Sequence, residues 1–152
     1  MDYGTQPVAV PKALPVITWA MLVVMPVFLL VLAQLVTVAT PTTGAPYDMI
    51  TYILLVVAAL DPLPYLFIER TQINNFRKAK GNESSRGQFF MHVTIMRMAP
   101  VTAIYMFGFF VFIVGGEFMR LLYFYPIGLI WTYFRWPSEA YREQFFRKLE
   151  VS

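Results

Sequence analysis

Residues 50–68 read ITYILLVVAALDPLPYLFI and residues 89–100 read FFMHVTIMRMAP, and the fold turns on how these two stretches are taken. Each is apolar enough to continue as a membrane helix, yet each carries one ionised group, Asp61 in the first and Arg97 in the second. Between them, Glu69–Gln88 is polar and holds five of the twelve bases, Arg70, Arg77, Lys78, Lys80 and Arg86. Pro62 and Pro64 remove backbone donors and crowd the preceding turn, so the first stretch is expected to kink or break near Asp61.

Counted inward from the polar connector, Asp61 lies eight residues from Glu69 and Arg97 nine residues from Gln88. These separations correspond to about 12 Å and about 13–14 Å of helix. Opposite charges at similar depth on consecutive antiparallel helices are expected to be partners, because either one alone in hydrocarbon costs at least about 2.5–3.5 kcal/mol. Tyr65, one turn from Asp61, and Thr94, one turn from Arg97, stand where they would complete the hydrogen bonding of such a pair.

Composition sets the solvent. Of 152 residues, 58% are apolar and 14% charged, which shifts the chain away from the ordinary soluble balance and towards lipid. The net charge of +3 sits in short segments beside apolar runs, a placement that suits anionic headgroups and not nucleic acid. With no cysteine, the chain has no disulfide, thiolate metal site or cysteine nucleophile.

Met1–Lys12, with Pro7 and Pro11, reads as an interfacial lead-in. The following run, 13–39, has only Thr18, Gln34 and Thr37 as polar members. It exceeds the roughly 20 residues a crossing needs, is too long for a signal-peptide core, and lacks a basic leader before it. Pro41–Tyr47 is a turn. Spans are then expected at about 48–68, 89–114 and 118–134, with Gly115-Gly116 making the last return and Trp131, Tyr133 and Trp136 forming an aromatic belt. Residues 139–149 place Tyr141, Phe145 and Leu149 at i, i+4 and i+8, the pattern of an amphipathic helix lying at the interface. The fold expected is therefore an all-α membrane protein, one domain of four transmembrane helices arranged as two hairpins, closed by that interfacial helix.

Four crossings put both termini on one side. Ten bases (Lys12, the connector's five, Arg135, Arg142, Arg147 and Lys148) fall on that side and Arg120 alone on the other. The positive-inside rule then makes the termini and the 69–88 connector cytoplasmic, with a bacterial inner membrane as the expected setting. There the glycosylation-like Asn82-Glu83-Ser84 would be accidental.

The halves echo one another: Met25-Pro26-Val27 has a counterpart in Ala99-Pro100-Val101, and Asp61-Pro62 in Tyr125-Pro126. With Pro100, Gly108, Gly115-Gly116 and Arg135-Trp136-Pro137, the chain resembles the four-span proteolipid (subunit c) type of rotary ATPase. It resembles more closely a set of small uncharacterised four-helix bacterial membrane proteins of that build. The proteolipid resemblance implies an ion-carrying carboxylate, for which Asp61 is the candidate. The last span has no carboxylate, and Val, Leu and Phe replace the glycines of a ring-packing first helix, so rotor function is not carried over.

The Asp61–Arg97 pair has two readings, a proton or ion relay and a structural pair that fixes helix register. The structural one is simpler, since a relay needs several polar stations. His92, the only histidine, could bind a haem only if another chain supplied the second ligand, because Met96 lies on the same helix; a polar group near the interface is the simpler account. The nine methionines and fourteen phenylalanines fill lipid-facing and packing surfaces without marking a quinone groove. No phosphate loop, triad or metal spacing is present. The expectation is a non-catalytic membrane subunit, without cofactor or metal, that packs with other membrane subunits or with its own copies. The alternative is an ion- or proton-conducting component using Asp61.

Overall fold

The computed structural model of the chain describes residues 11–38, 41–78 and 83–150; the lead-in up to residue 10 and Asn82 of the glycosylation-like motif lie outside the described residues. Those residues form helices and no strand. Three stretches, Ala13–Leu35, Ala45–Lys78 and Ser85–Gly115, are long and apolar enough to cross a membrane.

The first is not one regular helix. α1 (Ala13–Trp19) passes into a π-helical turn, Ala20–Val24, and then into α2 (Met25–Leu35). Pro26 explains the widening: it brings no N–H, and the Met25 N–H bonds back to the Ala20 carbonyl in the i−5 pattern. The Met21 carbonyl would next meet the proline nitrogen and is left without a helical donor. Thr102 Oγ1 from a neighbouring helix lies 3.4 Å from it and shares its one proton with the Met98 carbonyl at the same distance, and the Tyr125 hydroxyl donates to the Pro26 carbonyl at 2.7 Å. Side chains of neighbouring helices thus meet the backbone acceptors that the proline leaves open. α2 ends four residues short of the expected 13–39 run, where β-branched Val36, Thr37 and Val38 follow one another.

α3 (Ala45–Leu60) and α4 (Pro64–Lys78) are interrupted where the two prolines stand. Leu63 N–H falls back to the Leu60 carbonyl at 3.0 Å, a tighter turn that carries the chain across the donorless Pro62 and Pro64. α4 then overruns the apolar stretch by ten residues, and α5 (Glu83–Gly115) begins six residues before Phe89. The charged segment expected as a connector is thus mostly two helix ends. Glu, Arg, Gln and Lys are good helix formers, and no glycine or proline intervenes between Pro64 and Gly81.

α5 is the central element. Half of its apolar window is buried, against 28% for Ala13–Leu35 and 17% for Ala45–Lys78. It contributes to every core cluster in turn: Phe90 and Val93 near its start, Met98, Val101 and Tyr105 against α1 and α2, Ile104 and Val111 against α3, and Phe112 near its end. A helix wrapped on several sides has little amphipathic contrast, and Phe107, Phe109, Phe110 and Phe112 accordingly go round it.

The segment after Gly116 (φ +71°) returns along α5 as α6 (Phe118–Leu122) and α7 (Phe124–Arg135). Pro126 has no N–H to bond the Leu122 carbonyl, and the helix is divided at Tyr123, just after Leu122. Two glycines let the segment approach closely. A Cβ on Gly128 would stand 2.5 Å from the Tyr105 ring, and one on Gly108 would meet Phe124 Cβ at 3.0 Å and the Leu121 carbonyl at 3.1 Å. α8 (Glu139–Glu150) follows, with the Ser138 hydroxyl accepting the Tyr141 N–H at 3.2 Å. Its apolar stripe is the expected one, but it faces protein: Phe145 and Leu149 are buried against Leu14, Ile73, Phe90 and Val93.

Candidate functional site

Helix overrun and break together decide which charges meet. Because α4 continues past the apolar stretch, Glu69 stays on a helix packed against α5, and Glu69 rather than Asp61 is the carboxylate that reaches Arg97. The Arg97 Nη1–Glu69 Oε2 separation is 3.6 Å, with the side chains 14% and 13% exposed. Arg97 Nη2 also donates to the Phe134 carbonyl at 3.0 Å, near the C-terminal end of α7. The expected Asp61–Arg97 pair is not formed. Asp61 caps α3, half-buried, with no charged partner among the described residues.

Arg135 enters the same cluster from the last turn of α7. Its side chain is 2% exposed, its Nη1 lies 3.9 Å from Glu69 Oε2, and its Nη2 donates to the Pro62 carbonyl that the proline break leaves outside both helices. Trp131 lies one turn back with its ring 5.6 Å from the guanidinium carbon. Tyr141 of α8 closes the cluster, donating its hydroxyl to Glu69 Oε1 at 3.1 Å while its ring centroid sits 4.0 Å from the Arg97 guanidinium carbon. One carboxylate is thus shared by two guanidiniums and a phenol drawn from α4, α5, α7 and α8.

The electrostatics follow from that count. Burial raises the Tyr141 phenol above its ordinary value, and the Glu69 charge pushes in the same direction, so the hydroxyl stays protonated as a donor. Arg97 and Arg135, as guanidiniums, both keep their protons at neutral pH. Two arginines on one acid leave a net positive cluster. Arg97 Nε and Arg135 Nη1 are both buried without a hydrogen-bond acceptor.

The other expected polar residues are scattered. Tyr65 lines a narrow gap with Glu69, Gln72 and Arg97, where Gln72 Nε2 donates to Met96 Sδ at 3.2 Å. Thr94 is fully buried with its hydroxyl unpartnered. His92 is exposed and belongs to no ion pair or hydrogen bond among the described residues. Among those residues no three histidine, aspartate or glutamate side chains gather as a metal site would require.

A second charged cluster stands at the C-terminal end of α5, 18 residues beyond Arg97. Arg120 pairs with Asp48 and Glu117, each at 2.5 Å, and its guanidinium carbon lies 4.4 Å from the Tyr47 ring centroid. Tyr47 lies against Gly115, where any Cβ would collide with its ring, and donates its hydroxyl to the Val111 carbonyl at 2.8 Å. Here two acids share one base, the reverse of the count around Glu69.

Sequence reasoning named Arg97 but not Glu69 as its partner, nor Arg135 and Tyr141. The usable signal was the absence of a helix breaker after Pro64, which puts Glu69 on the same helix as Tyr65 and Gln72. No family model, curated protein or solved structure matches the chain.

Proposed function

We propose that the chain is a non-catalytic integral membrane subunit that packs with and stabilises other membrane proteins. The supporting observation is the distribution of apolar surface. Ala45–Lys78 leaves most of its apolar window outward, with Met49, Tyr52, Ile53, Val56 and Leu60 exposed, while charged groups are gathered in two clusters, one around Arg97 midway along α5 and one at its C-terminal end. Polar side chains are largely occupied with structure: Glu69 ties four helices, Tyr47 and Tyr125 cap carbonyls, and Thr18 and Thr51 bond their own helices. In this reading residues 118–135 form a fourth span beside the three long stretches, the four make two hairpins, and the termini and the α4–α5 connection face the cytoplasm. Gentle detergent extraction tests it. The chain should come out with at least one further membrane protein or with copies of itself, and recovery as a lone monomer overturns the subunit role.

One observation favours the alternative of ion or proton conduction. Asp61 has no cationic partner among the described residues, although Arg135 reaches the carbonyl of the very next residue, Pro62. A carboxylate beside a helix break could load and release a cation. Replacing Asp61 by Asn should abolish flux into proteoliposomes in that case. Flux that is unchanged, or absent already in the parent protein, removes Asp61 as a carrier.

A further inference from the structure

Beside the Glu69 cluster, α4 and α8 diverge and leave an open cleft of about 860 Å3. Its walls carry Arg70 and Arg77 from α4, Arg97 from α5, and Arg147 and Lys148 from α8, and among the described residues Glu69 is the only carboxylate lining it. Glu69 is already engaged by Arg97, Arg135 and Tyr141, so its charge is spent on the cluster and the field of the cleft is set by the bases beyond it. Arg70, Arg147 and Lys148 have no ion-pair partner among the described residues, and the buried Nε of Arg97 has no acceptor. The wall is not wholly polar: Leu66, an exposed apolar residue of α4, borders the cleft on the side of the long apolar stretch.

We propose that this cleft is a binding site for a phosphate-bearing anion, with the Arg70 and Arg147 guanidiniums and the Lys148 ammonium surrounding the phosphate oxygens and Leu66 lying along an attached hydrocarbon. Several guanidiniums converging from different helices suit a tetrahedral oxyanion, because each offers paired donors in a fixed plane. The chemistry is that of an anionic phospholipid headgroup or of a free phosphate ester. The membrane reading and the Leu66 edge favour the lipid. The inference rests on membrane insertion but not on a partner subunit.

The test is a titration of the full chain in neutral detergent with short-chain phosphatidylglycerol, phosphatidylcholine and inorganic pyrophosphate, followed by tryptophan fluorescence and native mass spectrometry. Phosphatidylglycerol should bind and phosphatidylcholine should not. Competition by pyrophosphate at similar concentration would assign the site to a free phosphate ester, and indifference to pyrophosphate would assign it to the lipid. Arg70→Gln with Lys148→Gln should weaken binding about tenfold or more, as expected for the loss of two cations near the anion. A control, Lys78→Gln with Arg142→Gln, removes the same charge from exposed positions outside the cleft and should change binding less than threefold. Equal loss in both double variants, or no binding of either anion by the parent, overturns the site. Co-flotation with phosphatidylcholine vesicles reports insertion separately, so failure to insert and failure to bind the anion are told apart.

Discussion

At the scale of single residues, the consequential feature is one carboxylate serving two guanidiniums. Removing Glu69 as Gln leaves Arg97 and Arg135 facing each other without a counter-charge in a largely buried setting. Breaking such a partnership by deleting one member destabilises by about 3 kcal/mol, because the remaining charges stay desolvated. Glu69→Gln should therefore unfold at clearly lower temperature in detergent, followed by loss of helical circular dichroism, and adding Arg97→Met should recover part of the loss. Asp61→Asn should leave the same transition within about 0.5 kcal/mol, since it severs no ion pair or hydrogen bond. A loss in Asp61→Asn as large as that in Glu69→Gln would contradict the assignment of the cluster. Sequence alone pointed to Asp61 because depth was counted inward from the polar 69–88 connector, which put Glu69 at its edge. Once residues 69–78 are helical, Glu69 is no longer an edge residue, and Asp61 lies across the proline break from the position that faces Arg97.

At the scale of elements, glycines set how closely the helices approach. Gly108 is the sensitive one, since its neighbours are the Cβ of Phe124 and the backbone carbonyl of Leu121, neither of which can swing aside. Gly108→Val should force the segment 118–135 away from α5 and destabilise by about 1–3 kcal/mol, measured by the same thermal transition. Gly44→Ala meets open space but sits at φ +97° and ψ −177°, an essentially glycine-only conformation, so it should cost about 1–3 kcal/mol through backbone strain alone. If Gly108→Val leaves the transition unmoved, the close approach is not what holds this segment. The elements themselves were legible to different degrees. Apolar runs marked the three long stretches, and Pro62 with Pro64 marked the break, because both signals act through local chemistry. The π-helical turn before Pro26 was not legible, since it depends on whether Thr102 and Tyr125 stand ready to take the carbonyls. Nor was the burial of α8: its stripe of Tyr141, Phe145 and Leu149 looks the same whether lipid or Phe90 covers it.

At the scale of the whole molecule, the two charged clusters define a band. Arg97 and Gly115 are 18 residues apart on α5, or about 27 Å along the helix, close to the roughly 30 Å of a hydrocarbon core. On the proposed membrane reading, Arg97 would belong to one boundary layer and the Tyr47–Arg120 cluster to the other, which would remove the need for a charge at mid-depth and explain how Arg97 is tolerated with a single shared acid. The Tyr141–Glu69 bond and the packing of α8 on Leu14 also bring the C-terminal helix to the end of the molecule that holds α1's start and the far end of α4. On the four-span reading proposed above, an even number of crossings would put those parts on the same side, with residues 118–135 supplying the fourth. The lack of cysteine makes this directly testable. Single cysteines introduced at Thr43, Lys78 and Ser138 should divide into two classes when sealed vesicles meet a membrane-impermeant maleimide. Positions 78 and 138 should label from one side and position 43 from the other, with all three labelling after the vesicles are opened. If position 138 labels with position 43, residues 118–135 do not cross, and the contacts of Arg135 and Tyr141 with Glu69 cannot exist in the membrane.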